Sequence, residues 1–141
     1  MTAVITGTGS YIPNIKKENK QFSGNRFLNA DGSSFDSNNT VIIQKFKTIT
    51  GIEERRYAEN HFNASDLGYL AAEKAIENAG IDSETIDYII FAHNFGDVKS
   101  DAIQSDILPS LATRVKHLLK IENPNQISMN TSLSVVLKHK G

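Results

Sequence analysis

The sequence predicts an α/β fold whose incomplete, mixed βαβαβ-type sheet carries helices on both faces. Three observations support this. Apolar residues recur at helical spacing over 66–79, Ile86-Asp87-Tyr88-Ile89-Ile90-Phe91-Ala92 is a short continuous β-rich run, and a second helical pattern follows over 111–119. Strand, helix, strand, helix in this order indicates a right-handed βαβ arrangement.

Taken in chain order, Ala3 to Ile12 combines β-branched and aromatic residues with Gly7 and Gly9 and ends at Pro13, which predicts a strand and a tight turn. From Asn14 to Asn39 the composition shifts to Lys, Asn, Ser and Gly with isolated Phe22, Phe27 and Phe35. This stretch is expected to be an excursion loop, with a turn at Ala30-Asp31-Gly32-Ser33 and its aromatics folded back onto the body. Thr40 is the expected cap of a short helix with Ile42, Ile43 and Phe46 on one side and Gly51 at its end. Residues 52–57 follow as a charged edge strand.

In the helix of residues 66–79, Ser65 is the expected cap and Asp66 places a carboxylate where the helix dipole favours it. Leu67, Leu70, Ala71, Ala75, Ile76 and Ala79 share a side, and Gly80 stands at the stop position. The alanines allow a close approach. The run 86–92 suits a buried parallel strand, and His93-Asn94-Phe95-Gly96-Asp97 leaves its carboxyl end, where ligand-facing loops collect in open α/β sheets. The helix of 111–119 carries Leu111, Val115, Leu118 and Leu119 on one side after Pro109 and Ser110. Domain organisation is expected to be one half-domain over 1–125 and an aberrant or truncated tail over 126–141, in which Leu133 to Leu137 begins a strand.

Composition limits the function. With 141 residues the chain has room for one domain. The 15 Lys and Arg against 16 Asp and Glu give a net charge of -1, so binding nucleic acid through phosphate neutralisation is disfavoured. No cysteine occurs, which removes disulfides, thiolate metal sites and a cysteine nucleophile from this polypeptide. No apolar run approaches the ~20 residues that span a bilayer, and the N-terminus does not read as a signal peptide. The expectation is a soluble cytoplasmic protein with no membrane partner.

Candidate chemistry is sparse. Gly7-Thr8-Gly9 lacks a third glycine and a following helix, so a strand-end turn is preferred to a nucleotide loop. His61, His93, His117 and His139 are scattered without ligand spacing, and no metal site is expected. His93 lies with Asn94 and Asp97 at a strand end, where a histidine hydrogen-bonded to its own loop is preferred to a catalytic one. Arg55 and Arg56 alternate across a strand beside Glu53 and Glu54, which suits an interface or a surface salt bridge. No residue is assigned a catalytic, cofactor-binding or metal-binding role.

Thr50-Gly51-Ile52-Glu53-Glu54-Arg55-Arg56-Tyr57-Ala58 is similar to the Thr-Gly-Ile-x-x-Arg-Arg/His-x-Ala signature of β-ketoacyl-acyl-carrier-protein synthase III, in the thiolase superfamily. Ile5 to Pro13 resembles that family's opening strand and Gly-x-Tyr-x-Pro turn, Ala71 to Ile81 its Ala-x-x-Ala-Leu/Ile-x-x-Ala-Gly helix ending, and Asp87 to Ala92 the next strand. The resemblance runs over about residues 3–125 and implies the N-terminal half of a thiolase-like fold. It also implies Claisen condensation of an acyl thioester with malonyl-acyl-carrier protein through a Cys-His-Asn triad, substrates carried on coenzyme A and acyl-carrier protein, and a homodimer paired through its sheets. By the same resemblance, the nucleophile sits on a helix that begins soon after a strand near residues 126–133.

The chain departs from that pattern where the chemistry lies. None of the triad can be carried over, and the family's coenzyme-A-contacting tryptophan and arginine are matched by Lys45 and Ile49. The expectation is a chain inactive alone, with a non-catalytic interaction module or one half of a two-chain enzyme as alternatives. The codons of Ser134-Val135-Val136-Leu137, read out of phase, can encode Gly-Cys-Pro. The tail thereby raises a frameshift near residue 126, against deliberate truncation or gene decay.

Overall fold

The computed structural model describes residues 4–131 with their side chains and the backbone of 136–139. It divides into two compact units, Ile12–Glu59 and Met1–Tyr11 with Asn60–Gly141.

In the unit 12–59, β1 (Ile15–Glu18) pairs antiparallel with β2 (Glu54–Tyr57), with Lys17 opposite Arg55. The strand β1 lies inside the stretch expected to be an excursion loop. The turn at Ala30–Ser33 forms as expected. Gly32 takes a left-handed φ of 82° and donates to the Asn29 carbonyl, while the Asp31 carboxylate accepts from the Ser33 backbone and hydroxyl. Helix α1 (Asn39–Thr50) begins at Asn38, not Thr40: the Asn38 side chain accepts from the Thr40 amide at 2.9 Å. Gly51 closes it with φ 69°. Phe22 and Phe27 meet Phe46 edge-on, with centroids 6.2 and 5.7 Å apart, so two of the three loop aromatics fold back, whereas Phe35 stays exposed.

The other unit is built on β3 (Ile86–Ala92), the middle strand of a three-stranded mixed sheet. It runs parallel to β4 (Ile127–Thr131) and antiparallel to β5 (Val136–His139). A crossover through α3 (Leu111–Leu118) joins the two parallel strands. Residues 132–135, most of the stretch read as a terminal strand, lie outside the described residues. Helix α2 (Ala64–Ala79) and α3 enclose one core with β3, in which Ile86, Ile89, Leu111 and Ala112 are fully buried and Ala72, Phe91, Val115 and Ile121 nearly so. The carboxylate of Glu84 accepts from the Glu122 and Asn123 amides, both at 2.8 Å, and so aligns the chain entering β4 with the chain entering β3. Among the described residues no helix is long and apolar enough to cross a membrane.

The segment 4–13 differs from expectation, since it forms no strand; Ala3 lies outside the described residues. Its glycines explain the path. A Cβ on Gly7 would fall 2.6 Å from the Ala75 carbonyl oxygen, and one on Gly9 2.3 Å from that of Ala71. The segment thus lies directly on the alanine face of α2, and the two glycines answer to close packing rather than to a nucleotide phosphate. Gly68 plays the same part where α2 crosses β3, because a Cβ there would come 2.2 Å from the Phe91 ring.

Replacing Gly9 with alanine is expected to lower unfolding free energy by about 1–3 kcal/mol in urea titrations, the usual cost of overpacking against an unyielding neighbour. The same change at Gly24, where a Cβ meets nothing within 4 Å, should stay within about 0.5 kcal/mol.

Candidate functional site

The loop at the carboxyl end of β3 leads to a buried carboxylate, Asp97. The chain leaves β3 through His93, whose amide donates to the Thr131 carbonyl at 3.1 Å and extends the parallel ladder by one residue. Gly96 then adopts φ 76°, and its amide donates to His93 Nδ1 at 2.8 Å. A side chain at Gly96 would collide with Ile107 and the Asp106 carbonyl, so the turn requires glycine. The turn delivers Asp97 into the interior, where it is 2% exposed.

A carboxylate so placed needs donors on both oxygens. Oδ1 accepts from the Ser65 amide at 2.8 Å, and Oδ2 accepts from the Ser65 hydroxyl at 2.6 Å and from Arg114 Nη1 at 3.1 Å. Ser65 is the second residue of α2, where amides have no partner within the helix, so Asp97 supplies one from 32 residues away and sets a negative charge at the positive end of the helix. The expected capping role of Ser65 is therefore corrected. Asn63 is the cap residue, its amide donates to Asp66 at 2.8 Å, and the Ser65 hydroxyl is a donor to Asp97.

Arg114 projects from α3, which Ser110 caps through the Thr113 amide at 3.2 Å. Its guanidinium is fully engaged at its edges. Nε donates to the Pro109 carbonyl and Nη2 to the Leu108 carbonyl, each at 2.9 Å, and Nη2 also lies 2.9 Å from the Asp106 carboxylate. The Arg114 hydrogen bond holds the Asp106 carboxyl below the usual carboxylate range. Beside this network lies an open groove of about 460 Å³, with Ser65, Asp66, Thr113, Arg114 and His117 among its walls.

The chemistry available here is that of an anchor. Ser65 is 4% exposed and its hydroxyl is committed to Asp97, so it offers no accessible nucleophile. Arg114 has carboxylates on two sides and is not available as an anion receptor. His93 bonds to its own loop, as the sequence suggested, and Asn94 is exposed. His61 stacks on Phe62 with centroids 4.2 Å apart, and His117 is exposed on α3. The side chain of His139 lies outside the described residues. Among the described residues no group of three His, Asp or Glu side chains can hold a metal ion.

In the unit 12–59, Arg55 makes no salt bridge among the described residues, unlike the surface pair expected of it. Its Nη1 donates to Asn19 Oδ1 at 2.7 Å and its guanidinium lies over Phe22 and Phe46, because the half-buried side chain meets rings rather than carboxylates. Arg56 does make a surface contact with Glu54 at 3.4 Å. Lys45 and Ile49 are both exposed on α1. Sequence reasoning missed Arg114, which carries no signal beyond a basic residue on a helix face.

No family model matches the chain. It is 34% identical over 122 residues to β-ketoacyl-[acyl-carrier-protein] synthase III 1 of Vibrio vulnificus, an alignment covering 86% of this chain and 32% of that protein. To β-ketoacyl-[acyl-carrier-protein] synthase III of Staphylococcus saprophyticus it is 38% identical over 97 residues, covering 69% and 27%. Among solved structures it resembles 3-oxoacyl-[acyl-carrier-protein] synthase III from Aquifex aeolicus, with TM-score 0.62, 25% identity, and 90% of this chain and 33% of that one covered. A priming β-ketosynthase from a polyketide biosynthetic pathway gives TM-score 0.65 at 25% identity, covering 90% and 31%. The chain spans about a third of the length of the relatives it matches.

Substituting Asp97 with alanine is expected to cost about 3–5 kcal/mol in urea titrations, since it strands Arg114 and the first turn of α2. Acid should loosen the other ion pair. The folded Asp106 carboxyl titrates below its unfolded value of about 3.9, so its contribution is complete above that pH and disappears as pH falls through the folded value. Carboxyl NMR titration is expected to show Asp106 shifting upward in Arg114→Gln.

Proposed function

We propose, for a chain that is β-ketoacyl-acyl-carrier-protein synthase III-like and matches about a third of such an enzyme, that it furnishes part of the scaffold of a condensing enzyme and not the acyl-carrying centre. The family reaction joins an acyl thioester to malonyl-acyl-carrier protein and begins with transfer of the acyl group to a cysteine. A thiolate suits that step because it is strongly nucleophilic at neutral pH and is stabilised at a helix N-terminus. The observation that carries the proposal is the absence of any cysteine from the 141 residues. The hydroxyl best placed to replace it, Ser65, is buried and bonded to Asp97.

On this reading a polypeptide of these residues alone performs neither condensation nor transacylation. Coenzyme-A and acyl-carrier-protein thioesters, and a sheet-paired homodimer, belong to the complete enzyme. The position equivalent to a stacking tryptophan is Lys45, so adenine binding at α1 is not part of the proposal. A second reading, in which the chain is an interaction module or one half of a two-chain enzyme, draws support from exposed apolar residues in the larger unit, with Val4 76%, Ile5 84%, Phe95 76% and Leu108 78% accessible. Exposed apolar area of this kind favours association.

Incubation with radiolabelled acetyl-coenzyme A, followed by denaturation and scintillation counting, is expected to leave the protein unlabelled. A stoichiometric label that survives denaturation contradicts the proposal. Co-expression with a cysteine-bearing polypeptide that restores condensation would support the two-chain reading.

A further inference from the structure

We propose that residues 98–108 form a strap, latched at both ends by Arg114, that opens as a unit while the surrounding helices and sheet remain folded. Every residue from 98 to 109 is exposed, including Ile103 and Ile107, so no buried side chain of the strap ties it to the core. Its attachments are confined to its ends. Asp97 and Asp106 exchange backbone hydrogen bonds, at 3.0 Å from the Asp97 amide and 2.6 Å from the Asp106 amide, and so bring the departing and returning chain together. Ile107 packs over Gly96 at the same point.

Arg114 clasps the two ends. Nη1 holds Asp97 where the strap leaves, while Nη2 and Nε hold Asp106, Leu108 and Pro109 where it returns. The clasp itself is fixed, because its neighbours Leu111, Ala112 and Val115 are buried against β3. Segments with few buried contacts and exposed hydrogen bonds open at far lower free energy than the core they border. The left-handed Gly96 supplies a pivot, and release of the Leu108 and Pro109 carbonyls from Arg114 frees the returning end of the strap.

The test uses the full chain, read by trypsin cleavage after Lys99 and by hydrogen exchange at strap amides and at β3 amides. In the unaltered protein the strap amides should exchange at a rate independent of low urea concentrations, and the β3 amides at a rate that rises with urea. Arg114→Gln is expected to raise cleavage after Lys99 by about tenfold or more, as loss of charge-assisted hydrogen bonds implies, and to speed exchange in the strap by a larger factor than in β3. Asp106→Asn, which alters an exposed carboxylate and spares the Asp97 contact, should give a smaller increase. The proposal is overturned if strap and β3 amides exchange at one common, urea-dependent rate, or if Asp106→Asn leaves cleavage after Lys99 unchanged. These two readings stand even if Arg114→Gln does not fold.

Discussion

The larger unit depends on one buried carboxylate. Asp97 accepts from the first turn of α2 and from a side chain of α3 while it sits on the loop that leaves β3, so three elements distant in sequence share its two oxygens. Burying a charge is costly unless every lone pair is met, and here the donors are a backbone amide, a hydroxyl and a guanidinium. The same arrangement explains why the carboxyl end of the strand, where α/β proteins gather reactive groups, is occupied by structure.

Close approach is the second constraint. The segment 4–11 lies on an alanine stripe of α2, and α2 crosses the Phe91 ring at Gly68, so small residues set the spacing on both sides of the helix. The core between α2, α3 and β3 holds Ile86, Ile89, Leu111 and Val115 out of water. By contrast, the segment 4–11 keeps Val4 and Ile5 exposed and has no strand beside it.

Much of the fold was legible because its signals are local. The run 86–92 is continuous and β-rich, Ser110 stands before a helical pattern, and Gly51 and Gly80 mark helix ends that the structure places there. Ser65 was misread because its rival Asn63 satisfies the same capping rule and because its hydroxyl is claimed by Asp97 across 32 residues. The first strand was misread because residue type predicts extended backbone, whereas sheet membership depends on a neighbour. Arg114 was invisible for a similar reason, since its partners at 97 and 106 share no periodicity with its helix. The absence of a cysteine, in contrast, needed no structure.

In the larger unit the loop after β3 is an anchor, with Asp97 bonded to α2 and α3. The account is tested most directly by a double-mutant cycle on Asp97→Asn and Arg114→Gln, with unfolding free energies from urea titration. Coupling of about 1–3 kcal/mol is the result the account requires of two groups that share a buried contact. Effects that add to within about 0.5 kcal/mol would show that Asp97 and Arg114 act separately, and that the carboxylate does not join the elements around it.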